Sequence, residues 1–388
     1  MYTSNWLGLA LLYSGVVVGC VIAFISDSRT FFKKLIVSLI MFLFFVFIWL
    51  FINDSNYLNL FLYYELFLLP SFFIVYYSSP NRRSVLASIY FLTWTQFGSL
   101  LVLIGVLVLY YKTGTFYFEH AHIVSSTWIY ALILLGFGIK IPMWPFYYWL
   151  TKTHVEASSF FSIYLSGFLV KTAIYLFIKF YSMISINIFF NAFLVLFVIG
   201  VLDSSIKMWH QTDLKKLIAY TTVQEMNFLA IPILLNDIYG ENLVAIFVIT
   251  HCILSSLLFF YIDIITKRYG TRATSQITGL THTMPTFTAI MFLTWLGFSG
   301  LPFTIKFTLE IGIFNLLLNI SPILFTLTIV GMNVIGLLGF SKNLFNTLFG
   351  APILKDYIVY DLTKRELFIF IFLLTNLFIF NLITLIVF

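Results

Sequence analysis

The chain has 388 residues, 61% of them hydrophobic and only 9% charged, with a formal net charge of +6 and a mean hydropathy of +1.02. A soluble domain carries roughly 25% charged residues, so the composition excludes a water-borne enzyme; the 47 Phe and 23 Tyr suit lipid contact and interfacial belts. The two cysteines, Cys20 and Cys252, each lie inside an apolar run, which excludes a disulfide framework and a cysteine-ligated iron–sulfur cluster.

Apolar runs follow one another at 7–25, 33–52, 57–77, 84–110, 127–149, 157–180, 187–207, 216–235, 242–265, 284–319, 322–341 and 367–388. These predict an all-α polytopic membrane protein of about twelve spans, a single transmembrane domain over residues 1–388 with no sizeable aqueous part. No small-residue cleavage site and soluble body follow the first run, so it reads as a helix rather than a signal peptide. The third run carries Glu65 at its centre, in FLYYELFLLP. In the fifth, Lys140 precedes Pro142 and Pro145, which predict a break. Lys171 lies past the middle of the sixth, Lys215 just ahead of the eighth, Glu225 within the eighth and His251 in the ninth. The run at 284–319 is too long for one helix, and its centre, Gly297-Phe298-Ser299-Gly300-Leu301-Pro302, predicts a second break two turns ahead of Glu310.

Alternation of these spans puts sixteen of the 21 basic residues on the side that holds residues 26–32. By the positive-inside rule that side is the cytoplasmic or matrix side, and both termini lie opposite. The net charge is then an orientation signal, with no nucleic-acid partner implied; membrane lipids are the expected surroundings. The bias toward Phe, Ile, Leu, Tyr and Asn is of the kind seen in AT-rich organelle genomes.

An ionisable group at mid-bilayer costs roughly 2.5–3.5 kcal/mol even on the lenient insertion scale, so each one needs a reason. Glu65, Lys140, Lys171, Glu225, His251 and Glu310 are spread one per span or half-span, as expected if several helices each contribute to one polar file. Burial shifts lysine and carboxylate proton affinities toward one another, so a file of this kind can exchange protons near neutrality. Two broken helices, each beside a charge, point to an inverted-repeat transporter. The competing reading is that the charges only clamp helices together. Lys306 and Glu310, four apart, are expected to pair on one helix face. Lys179 is expected to snorkel and Asp203 and Asp263 to be interfacial. Glu119, His120 and His122 cluster in one loop, but no further ligand is evident to complete a metal site and none is expected. One well-placed histidine, His251, does not provide the paired axial ligands of a membrane haem, and no G-x-G-x-x-G or P-loop is present to hold a dinucleotide or ATP.

Several of these segments together resemble the proton-pumping membrane subunits of respiratory complex I. They are YELFLLP at 64–70, IKIPMWPFYYWLTKTHVEAS at 139–158, QTDLKKLIAYTTVQEM at 211–226, THCILSSLLF at 250–259 and LPFTIKFTLE at 301–310. The chain is most similar to the subunit 4 type, in which the distal position, here Glu310, is acidic where subunits 2 and 5 carry lysine. The resemblance implies an antiporter-like fold. Its first half, about 57–180, would hold Glu65, Lys140 and Lys171, and its second half, about 187–341, Glu310. It implies a proton pathway through Glu65, Lys140, Lys171, Lys215, Glu225, His251 and Glu310. Charge moving between Glu65 and Lys140 would change the proton affinity of Lys171, which passes a proton toward Glu310. No catalytic site or cofactor is expected on this chain: NADH, FMN, iron–sulfur clusters and ubiquinone would belong to other subunits of an NADH:ubiquinone oxidoreductase. The expected partners are other membrane-arm subunits, especially those of types 2 and 5, in a mitochondrial inner membrane with both termini on the intermembrane-space side. The sequence departs from the family pattern at Glu225, where histidine is usual, at Thr151 and Ser158, where prolines are usual, and at Tyr147, where histidine is usual. The family has fourteen helices with the acidic motif on the fifth; here Glu65 is on the third, so two N-terminal helices are expected to be missing. Two other functions remain open to the sequence: a subunit of a multi-subunit sodium/proton antiporter, and a non-pumping spacer in a membrane complex.

Overall fold

A computed structural model describes residues 4–25, 48–77, 82–118, 126–181, 190–235, 238–352 and 359–387. The loop cluster Glu119, His120 and His122, most of the span at 33–52, and Arg29, Lys33, Lys34 and Lys355 fall outside them.

In lipid every backbone N–H and C=O must be satisfied within its own segment, and the described chain is accordingly almost all helix. In chain order the helices are α1 (Ser4–Ile25), α2 (Tyr57–Tyr77), α3 (Arg82–Thr113), α4 (Thr127–Lys140), α5 (Tyr148–Glu156), α6 (Ser159–Tyr164), α7 (Val170–Tyr181), α8 (Phe190–Trp209), α9 (Leu214–Leu234) and α10 (Ile238–Tyr269). They continue with α11 (Pro285–Phe298), α12 (Ile305–Ile320), α13 (Pro322–Ile329), α14 (Leu337–Phe349) and α15 (Lys364–Val387). Among the described residues nine helical stretches are long and apolar enough to cross a membrane. The α4–α5 and α11–α12 pairs add one discontinuous span each. Both breaks fall where Pro142/Pro145 and Leu301-Pro302 predict them.

Two features were not foreseen. The spans at 157–180 and 322–341 each contain a π-helical turn, Leu165–Leu169 and Val330–Gly336, which displaces side chains relative to a regular helix. The first turn ends two residues before Lys171, and the second contains Asn333.

The α9 helix is buried along its whole length, and α10 and the α6–α7 span nearly so, whereas α15 is mostly exposed at the periphery. Small residues let α3 and α4 approach: a Cβ at Gly98 would lie 2.9 Å from the Gly136 carbonyl oxygen, and one at Gly136 would lie 2.6 Å from Val102. That close contact seats the end of α4, and so Lys140, against the polar face of α3.

Polar side chains secure the helix ends. Asp213 caps α9 through the N–H groups of Lys215 and Lys216, and Arg272 reaches back to Asp213 at 2.7 Å. Asp361, outside the spans, accepts from the N–H groups of Thr286 and Phe287 at the start of α11. Partial burial works against its charge, but those bonds, the Thr286 side chain and the Leu362 N–H outweigh it and hold the carboxyl below the usual 3.8.

Candidate functional site

The first cluster forms where α2, α3 and α4 meet. Glu65 Oε1 lies 2.9 Å from Lys140 Nζ and accepts from Ser99 Oγ at 2.5 Å, while Gln96 Nε2 donates to the other carboxylate oxygen at 3.2 Å. The Lys140 side chain is fully buried and its ammonium lies 3.9 Å from the centre of the Tyr64 ring; the Glu65 side chain keeps 20% exposure. Lys140 is the last residue of α4, where orphan carbonyls favour a cation. Asn227 Nδ2 on α9 donates to the Pro142 carbonyl, satisfying one of the acceptors that the break releases.

The second cluster is a file across the buried centre. Lys171 Nζ lies 2.6 Å from His251 Nδ1, and His251 Nε2 lies 3.4 Å from Glu225 Oε2. Glu225 Oε1 lies 2.5 Å from Lys306 Nζ, which is 3.7 Å from Glu310 Oε1. Every side chain in the file is at least nine-tenths buried. Four helices, α7, α10, α9 and α12, supply these five groups. The Glu310 carboxylate lies against the second break, where Gly300 has φ +64 and a Cβ would come within 2.8 Å of Glu310 Oε2. Asn333, in the second π turn, faces the same small cavity as Glu310. A cavity of about 10 Å³, room for one water, is lined by Gln224, Ser299, Lys306, Glu310 and Asn333.

Of the seven predicted path residues, the structure joins Lys171, His251, Glu225 and Glu310 through Lys306, and pairs Glu65 with Lys140. The pair and Lys171 share no partner among the described residues. Lys215 stands apart: its ammonium donates to the Ala157 carbonyl at the end of α5. His154 lies close enough to feel the charges of both Lys215 and Lys171; it is fully buried and stacked on Phe259 at 4.7 Å. Neither His154 nitrogen has a hydrogen-bond partner among the described residues.

Spacing along the sequence predicts only a local pairing of Lys306 with Glu310, and it does not single out His154. The pairing with Glu310 is the longer of two contacts, and the shorter runs to Glu225, 81 positions away. A histidine just after a proline break at membrane depth was the signal for His154. Asp203 is more than an interfacial charge: Tyr147 Oη donates to it and Lys207 pairs with it at 2.9 Å. Asp263 pairs with Lys267 at 2.6 Å.

Residues 54–336 match the family described as NADH:quinone oxidoreductase/Mrp antiporter, TM. The chain is 42% identical over 378 residues to NADH-ubiquinone oxidoreductase chain 4 of Paramecium tetraurelia, covering 95% of this chain and 79% of that one. A chain in the structure of respiratory complex I from Thermus thermophilus superposes with a TM-score of 0.81 at 21% identity, covering 96% of this chain and 80% of that one. A chain of the Mrp complex from a Dietzia species superposes with a TM-score of 0.74, also at 21% identity, covering 91% of this chain and 66% of that one.

Proposed function

The chain belongs to the NADH:quinone oxidoreductase/Mrp antiporter transmembrane family, and on that premise we propose that it is a proton-translocating subunit of the membrane arm of NADH:ubiquinone oxidoreductase. It is a multi-pass inner-membrane protein of the mitochondrion, a member of an enzyme complex whose redox chemistry takes place on other subunits. The observation that carries the pumping role is the buried file Lys171–His251–Glu225–Lys306–Glu310, lying between two broken helices.

Protons move along this file by ordinary acid–base steps. With Lys171 as the ammonium, His251 Nδ1 accepts and Nε2 carries its hydrogen toward Glu225. A proton passed from Lys171 to Nδ1 leaves an imidazolium, which gives its Nε2 proton to Glu225. His154, within range of the charges of Lys215 and Lys171 and without a hydrogen-bond partner among the described residues, supplies an imidazole for uptake from the basic side. The Glu65–Lys140 pair acts from the neighbouring helices. Lys140 close to Glu65 is neutralised; Lys140 drawn away adds its field to that of Lys171 and alters when Lys171 gives up its proton. NADH, FMN, iron–sulfur clusters and ubiquinone belong to other subunits, and the neighbours in the arm are antiporter-like subunits of types 2 and 5. In this reading the two halves, about 57–180 and 187–341, each contribute one broken helix, and both termini lie on the intermembrane-space side, a topology supported by the excess of basic residues on the opposite side.

A sodium/proton antiporter shares this fold. The 42% identity to a chain 4 over nearly the whole sequence favours the oxidoreductase. Purification of the native assembly in mild detergent, with an NADH:quinone activity stain and mass spectrometry of the band, tests the assignment. The chain is expected in the NADH-oxidising band. Migration only with antiporter-like chains and no redox subunit would overturn it.

A further inference from the structure

We propose that Lys306 is a two-position charge switch that couples the arrival of a proton on Glu225 to the release of one from Glu310. The inference rests on the proton-translocation reading above.

Lys306 carries one ammonium between two buried carboxylates, 2.5 Å from Glu225 Oε1 and 3.7 Å from Glu310 Oε1, and its third contact is the Phe298 carbonyl at 2.7 Å. That carbonyl is at the C-terminal end of α11, where a helix favours a cation, and the Phe298 ring lies 3.9 Å from the ammonium. One cation and one ionised carboxylate form a neutral group; two ionised carboxylates would leave net charge buried. The distances therefore describe an ionised Glu225 held by Lys306 and a Glu310 that keeps its proton. The titratable groups facing this trio are His251, from α10 against Glu225, and Lys171 beyond it. The arrangement repeats that of Glu65 and Lys140: a carboxylate on one helix, a lysine at a break, and an aromatic ring 3.9 Å from the ammonium.

The cycle balances. A proton from His251 neutralises Glu225, and Lys306, no longer held there, closes the 3.7 Å gap to Glu310. Its field stabilises the Glu310 carboxylate, so the Glu310 proton leaves through the small cavity beside Ser299 and Asn333. Lys306 then gives one N–H proton to Glu310 and takes the proton of Glu225. The ammonium is restored, Glu225 is again ionised and Glu310 again protonated. One proton has entered and one has left.

Lysine can perform the last exchange and arginine cannot, because a guanidinium does not deprotonate in proteins. Lys306→Arg keeps the cation and its pairing with Glu225, so a plain helix clamp would keep working in that variant. The test is the number of protons pumped per NADH oxidised by the intact complex in sealed liposomes containing a pH-sensitive dye. Lys306→Arg, Lys306→Met and the benchmark Lys171→Ala are compared with the parent. The switch predicts that both Lys306 variants fall to the Lys171→Ala level; should the methionine variant fail to assemble, the arginine variant decides. A parental ratio in Lys306→Arg alongside a lowered ratio in Lys171→Ala overturns the switch and leaves the proton file standing. A parental ratio in Lys171→Ala overturns the file itself, and the switch with it.

Discussion

Replacing His251 by Phe asks whether the central file conducts. The imidazole spans the space between Lys171 Nζ, 2.6 Å from Nδ1, and Glu225 Oε2, 3.4 Å from Nε2. With the ring's own width, these contacts put the ammonium about 8 Å from the carboxylate oxygen, roughly three hydrogen bonds in series. Phe fills the same volume, excludes water and carries no exchangeable proton. A positioned proton carrier contributes about 10²- to 10⁴-fold in rate, so flux through this chain is expected to fall by at least about 100-fold in His251→Phe. His251→Ala opens room for two waters in a hydrogen-bonded chain and is expected to retain an intermediate flux. The assay is internal acidification per NADH oxidised by the reconstituted complex, with assembly checked on native gels. A Phe variant that pumps at the parental ratio would refute the reasoning, because no protonatable group would then remain between Lys171 and Glu225.

The first cluster is asymmetric. Lys140 is fully buried with Glu65 as its only hydrogen-bond partner among the described residues, whereas Glu65 also has Ser99, Gln96 and some exposure. Breaking a buried pair costs about 3–5 kcal/mol when the remaining ion has nothing else, so Glu65→Ala should lower the thermal midpoint of the complex further than Lys140→Ala. Equal shifts in a thermal inactivation series would contradict this. Gly300→Ala forces an L-residue to φ +64 and a methyl to within 2.8 Å of Glu310 Oε2; about 1–2 kcal/mol of backbone strain and a displaced carboxylate should reduce pumping, and unchanged pumping would argue against this placement of Glu310. Asp361 titrates below 3.8 in the fold, so its contribution to stability is complete above its unfolded value and disappears as pH falls through the folded one. Asp361→Asn should therefore destabilise the protein near neutrality and close the gap with the parent in acid; a gap that stays constant as the pH falls would count against the capping role.

The membrane architecture was readable because lipid leaves few alternatives: apolar runs of about 20 residues, prolines at 142 and 145, and the Gly-Leu-Pro at 300–302 each dictate their local outcome. The burial of Glu65, Lys140, Lys171, Glu225, His251 and Glu310 was equally legible, since a charge inside an apolar run has nowhere else to go. Spacing could not reveal which neighbour each charge meets. The i, i+4 rule connects Lys306 to Glu310, but the ammonium turns toward Glu225 because helix packing brings α9 closer than the next turn of α12. The two π turns leave no mark in the hydrophobic pattern, and a turn of that kind shifts the register of the residues that follow it, Lys171 among them. The Asp361 cap on α11 joins segments 75 residues apart and depends entirely on how the chain folds back.

The most direct test of the account is the ratio of protons pumped to NADH oxidised by the assembled complex carrying Lys171→Ala. Lys171 is fully buried and begins the file, with His251 as its hydrogen-bond partner. The account predicts a ratio below the parent's in complexes that still oxidise NADH. A parental ratio in fully assembled complexes would mean that the buried charges hold helices together and carry no protons.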